Sequence, residues 1–114
     1  MSECIFCRIA AGEIPAKVIH RDDTAVAFHD LAPQAPAHVL VIPVRHVGGV
    51  AEFDEADAPL AGHLLMVAVK VARDLGLEDS GFRVVVNQGR DAGQSVAHVH
   101  LHVLGGRAMG WPPG

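Results

Sequence analysis

The stretch Ser95–Gly106, SVAHVHLHVLGG, sets three histidines at alternate positions, with Val99, Leu101 and Val103 in the gaps. Side chains on a β-strand alternate between faces, so a strand here turns His98, His100 and His102 one way and the aliphatic residues the other. On a helix the same spacing spreads the imidazoles around the cylinder and scatters their apolar partners. Only the strand makes both sets coherent. It predicts a row of rings on one sheet face at intervals of about 7 Å, twice the strand rise, above a hydrophobic layer.

Outward from this strand the chain offers few other long elements. EADAPLAGHLLMVAVKVARDLG carries Leu60, Leu64, Val67, Val71 and Leu75 at helical spacing, with Pro59 near its start and Gly76 placed to stop it. Leu65, Met66 and Val69 widen its apolar face, which fits either cover by a second copy or deep burial in one core. KVIHRDD and TAVAFHD read as a hairpin parted by Asp22 and Asp23, VLVIPV as a buried strand closed near Pro43, and GFRVVVNQG as a further strand. CIFCRIAAGEIP reads as a short helical turn ended by Gly12 and Pro15. Together these predict an α+β domain spanning residues 1–114: an antiparallel sheet of about five strands, one long helix and one short one.

The bulk composition narrows the function. The 114 residues are half apolar, carry a net charge of −4, and scatter Lys and Arg without a cluster, so no nucleic-acid footprint is expected. No apolar run nears the roughly 20 residues of a bilayer span. The opening MSECIFCRIAAGEIP is too short and too charged for a signal peptide, and the expectation is a cytoplasmic protein that binds no membrane. Cys4 and Cys7 form a C-x-x-C; in a reducing compartment this is redox chemistry or half of a metal site rather than a staple. Three imidazoles in register suit either metal binding or nucleophilic and acid–base work on a phosphate ester or amide. The preceding GRDAGQSV favours phosphate: Gly89 and Gly93 let backbone N–H groups face outward, and Gln94 and Ser95 add donors.

HVHLHVLGG, with EIPAKVI, FHDLAPQAPAHVLVIP, VVNQG, GQSVAHVHLHVLGG and the closing WPPG, resembles the histidine triad (HIT) superfamily, and within it the Hint branch of nucleotide-binding proteins. The resemblance runs through nearly the whole chain. It implies a homodimer with two sheets joined and hydrolysis of purine nucleoside 5′-phosphoramidates. His100 matches the nucleophile that forms a nucleotidyl-histidine, with a backbone carbonyl near His98 holding its other nitrogen. His102 matches a phosphate-contacting imidazole, His38 a supporting histidine, and Ser95 a residue near the leaving group. Asp30 matches the acceptor of both ribose hydroxyls, flanked by His29 and Leu31. Phe6, Ile9 and Ile14 match the base pocket, Asn87, Gly93 and Gln94 the phosphate surroundings, and Trp111 a tail residue that reaches a partner's site. Relatives often carry His before that Trp, where Gly110 stands here, which bears on leaving-group preference.

The C-x-x-C resembles a zinc-bearing bacterial subset in which Cys4, Cys7, His46 and His98 enclose a structural ion, a donor set that suits zinc. The chemistry itself would need no metal. The competing functions are a nucleotide-binding scaffold with vestigial catalysis, a dinucleoside polyphosphate hydrolase, and a hydrolase using metal on the triad. His20 and His63 receive no role.

Overall fold

The computed structural model describes residues 3–114. A short helix α1 (Ile5–Ala10) leads into a hairpin of β1 (Val18–Arg21) and β2 (Ala25–His29), then β3 (Ala37–Pro43), the long helix α2 (Ala58–Asp74), β4 (Phe82–Val86) and β5 (Leu101–Gly105). All strand pairs are antiparallel, in the order β1-β2-β3-β5-β4. The expected α+β class, strand number and helix pair are all present.

Local chemistry explains the boundaries. The Cys4 sulfur accepts the Cys7 amide at 3.4 Å and caps α1, and Gly12 ends the turn at φ +76°, a conformation that a side chain disfavours. In the β1–β2 turn, one Asp22 oxygen accepts the amides of Thr24 (2.8 Å) and Ala25 (2.9 Å). Pro59 lies in the first turn of α2, where its missing N–H costs nothing, and Gly76 follows the helix at φ +73°.

The sheet is covered on both faces. α2 lays Leu64, Val67, Ala68, Val71 and Ala72 over Ala25, Ala27, Val39, Val41, Leu101 and Val103. On the opposite face Phe6, Ile9 and Ala10 of α1 pack over Val26, Phe28, Leu40 and Ile42. β3, central and covered twice, therefore reads as a continuous apolar run rather than an alternation. α1 is short, so the second face is only partly roofed. That gap positions the site.

The histidine run needs one correction. The strand begins at Leu101, so of the three histidines only His102 lies in the ladder, opposite Leu40. Continuing the register places Val99 opposite Pro43, which has no N–H to give. The Val99 amide instead donates to the Val47 carbonyl at 2.6 Å. Released from the pleat, the rings do not stand 7 Å apart: those of His100 and His102 lean together with centroids 5.0 Å apart.

Candidate active site and metal centre

Beside α1 lies a cleft of about 210 Å3 lined by Phe6, Ile9, Asp30, Leu31, Ser95, His100 and His102, with Ile5, Phe28, Leu40 and Val96 completing the wall. Phe6 and Phe28 meet edge to face at 5.6 Å, and the Phe6 ring also stands edge-on to His100 at 5.1 Å and to His98 at 5.9 Å. One end is thus apolar and aromatic, the other imidazole and carboxylate.

Hydrogen bonds fix the tautomers along the imidazole end. The Nδ1–H of His100 donates to the His98 carbonyl at 2.7 Å. A neutral His100 then presents the lone pair of Nε2, for which no described residue supplies a partner. The Gln34 amide donates to Nδ1 of His38 at 3.0 Å, so the proton of neutral His38 sits on Nε2. That Nε2–H donates to Nδ1 of His102 at 2.9 Å and leaves His102 with a proton on its remaining nitrogen. The cleft therefore offers one imidazole as an acceptor and the next as a donor. Asp30 lies 3.5 Å from Nε2 of His38 through Oδ2, while its Oδ1 accepts the Ala32 amide at 2.8 Å.

The electrostatics agree with neutral rings. Burial lowers the pKa of His102 to about 4, helped by the neighbouring His100 and His38 and opposed by Asp30. Burial also lowers that of His38, again against Asp30. Asp30, His38 and His102 place ligand-type atoms near one another. The Gln34 bond, however, keeps a proton on the very His38 nitrogen that a metal would need, so this trio is a hydrogen-bond chain.

A second cluster sits behind His100. The Nδ1 of His98 lies 3.3 Å from the Cys4 sulfur, 3.4 Å from that of Cys7 and 3.1 Å from Nδ1 of His46, and the last is 3.2 Å from the Cys7 sulfur. The other ring nitrogen, Nε2–H, donates to the Pro43 carbonyl at 2.8 Å, which leaves Nδ1 as a bare lone pair aimed into the cluster. Two thiols and two imidazoles around one point match a closed zinc site, whose ligand atoms, at bonds of about 2.0–2.3 Å, stand roughly 3.3–3.8 Å apart. The residues fit the ion, and the Pro43 bond is the outer support that such a ligand requires. Burial holds His98 neutral, against the Pro43 carbonyl and with His46 and His100, as a ligand must be.

The predicted residues thus divide. Phe6, Ile9, Asp30, Leu31, Ser95, His100 and His102 line one cleft, with His38 directly behind His102. His98 is fully buried with both ring nitrogens engaged, so its contribution to the cleft is its carbonyl. Ile14 packs at the margin of the α1 layer, and His29 lines a neighbouring concavity. Gln94 spends its side-chain amide bridging two loops, accepting from Gly89 and donating to the carbonyls of Gly48 and Val96. Asn87 and Gly93 lie outside the cleft lining. Trp111 is 82% exposed, against Arg83 at 6.0 Å. Sequence reasoning missed Ile5, Phe28, Leu40 and Val96. The last three were legible only as neighbours of His102 and Ser95 once register was known. His20 and His63, left without a role, both donate to Asp22 Oδ2, at 2.6 and 2.8 Å.

Comparison with known proteins agrees with this geometry. The HIT domain model matches residues 11–109. The chain is 48% identical to an uncharacterized HIT-like protein of Synechocystis, over 98% of this chain and 97% of the relative. It is 49% identical to a 14 kDa zinc-binding protein of Zea mays, over 99% and 89%. The crystal structure of a HIT family hydrolase from Legionella pneumophila superposes with a TM-score of 0.96 at 46% identity, covering 98% of this chain and all of that one. Among the described residues no helix is long and apolar enough to cross a membrane.

Proposed function

The chain belongs to the HIT domain family, and we propose that it is a Hint-branch hydrolase that cleaves purine nucleoside 5′-phosphoramidates through a nucleotidyl-His100 intermediate. The observation that carries this assignment is the 2.7 Å bond from His100 Nδ1 to the His98 carbonyl, which frees Nε2 within a cleft closed by Phe6 and Ile9 and edged by Asp30.

The apolar pocket at Phe6, Ile9, Phe28 and Leu40 takes the base, and the Asp30 carboxylate accepts the ribose hydroxyl protons. Nε2 of His100 attacks the α-phosphorus as the P–N bond breaks. The amine departs with a proton relayed from solvent through the Ser95 hydroxyl. His102, protonated on its cleft-side nitrogen and held by His38, donates to a non-bridging oxygen as charge builds there. Water then attacks the phosphorus, cleaves the P–Nε2 bond and releases the nucleoside monophosphate. The Cys4, Cys7, His46 and His98 cluster holds a structural zinc that ties α1 to the segment bearing His100, and it supplies no group to the chemistry. The working unit is a homodimer in the cytoplasm, built from chains that are each a single HIT domain of residues 1–114.

Incubation with adenosine 5′-phosphoramidate tests the assignment. Release of AMP and ammonia far above a His100→Asn control supports it. Binding of AMP with no turnover above that control would make the protein a nucleotide-binding scaffold instead.

A further inference from the structure

Two concavities meet at Asp30 and Leu31, the only residues they share. One is the cleft already described. The other, of about 420 Å3, is lined by Lys17, His29, Pro33, Pro36 and one side of His38. The backbone holds Lys17 and His29 side by side: the His29 amide donates to the Lys17 carbonyl at 3.1 Å, at the open end of the β1–β2 pair. Neither the Lys17 ammonium nor the His29 ring makes a hydrogen bond or ion pair with any described residue. The chain thus places a fixed positive charge and an N–H donor in the larger concavity and gives neither a partner.

We propose that this second concavity is a subsite for a phosphate monoester on the ribose 2′ or 3′ oxygen of the bound nucleotide. The inference rests on the assignment of Asp30 to the ribose hydroxyls. A nucleoside held that way sends whatever its ribose carries toward the concavity that Asp30 and Leu31 border. A ribose phosphorylated at one position keeps one hydroxyl, which still donates to Asp30. The phosphate, repelled by that carboxylate, is met by Lys17 as a point charge and by a His29 N–H, which a neutral ring can also offer. Pro33 and Pro36 stiffen the lining and bring no amide donors of their own. The preferred substrates are then 5′-phosphoramidates, or related 5′-activated forms, of nucleotides already phosphorylated on the ribose.

Calorimetry with AMP, adenosine 2′,5′-bisphosphate and adenosine 3′,5′-bisphosphate on the full chain tests this. One bisphosphate should bind at least about tenfold tighter than AMP, the gain of one charge-assisted contact. Lys17→Ala and Lys17→Glu should remove that preference while AMP affinity and adenosine 5′-phosphoramidate turnover stay as in the wild type. Which isomer gains decides between the 2′ and 3′ positions. Both bisphosphates binding no tighter than AMP, or a preference that survives Lys17→Glu, overturns the subsite. With phosphoramidate turnover intact, that result leaves the parent assignment standing. Absence of AMP binding and of turnover together removes both.

Discussion

At the cleft, His102 and His38 couple protonation to folding. In the fold their pKa values fall below that of a free imidazole, His102 to about 4, chiefly because burial penalises the charged ring. An unfolded histidine titrates near 6.5. Between about pH 6.5 and pH 4 the unfolded chain therefore takes up a proton that the folded one refuses. Stability is flat above that window and falls as pH drops through it, by an amount on the order of 3 kcal/mol from His102 alone. Denaturant titrations of wild type and His102→Asn at pH 7, 5.5 and 4 should converge as pH falls, because the variant lacks the penalty. Parallel curves would contradict the buried neutral ring. Asp22 does not blur this window. Burial works against its ionisation, but bonds from His20, the Thr24 amide, His63 and the Ala25 amide outweigh it and hold its pKa far below the ordinary carboxylate range. Its contribution is lost only at much lower pH. At this scale the sequence was least legible. Alternation along one strand pointed three rings at one face, yet Pro43 broke the ladder and set His98 into a different site.

Among elements, α1 and α2 do different work. α2 supplies the larger core, and Leu64, 1% exposed, sits at its centre. Leu64→Ala should cost about 2–5 kcal/mol in chemical denaturation, the range for emptying a packed leucine site; a loss under 1 kcal/mol would mean that the layer collapses around the gap. Helical spacing alone located this helix, because an apolar stripe that keeps a 3.6-residue period over 17 residues fits neither a strand nor a loop. α1 has only six residues, too few to be stable as an isolated helix, and packs through Phe6, Ile9 and Ala10 on the second face of the sheet. A further anchor is the Cys4 and Cys7 pair, which meets His46 and His98. Protein purified without chelators should carry about one zinc per chain by elemental analysis. Cys7→Ser should lose the metal and lower the melting temperature. Metal-free wild type from such a preparation would contradict the zinc site. The resemblance named His46 as a ligand where spacing alone did not: it follows β3 by three residues, and the fold carries it to the cysteines.

For the whole molecule, several features remain uncovered on one chain, among them both edge strands, β1 and β4. β4 is an edge strand with Val86 38% exposed, and α2 leaves Leu65 and Met66 at 48% and 60%. The proposed homodimer would pair the β4 edge and bury those side chains. Sedimentation equilibrium should give twice the chain mass, and the double variant Leu65→Glu, Met66→Glu should shift it to the monomer; a wild-type monomer at micromolar concentration would contradict the dimer. The overall architecture was readable from the sequence because strand, helix and turn signals agreed along nearly every segment. The walls of the cleft were not, since Phe28 and Leu40 join it only through the pairing of β2, β3 and β5. On the proposed mechanism the cleft serves one imidazole, His100, that takes the nucleotide covalently. The direct measurement is rapid acid quench of the intact protein turning over adenosine 5′-phosphoramidate, followed by mass mapping of the modified residue. An adenylyl group on His100, formed and lost at rates that account for turnover, is the predicted result. Full turnover with His100 never modified would contradict it.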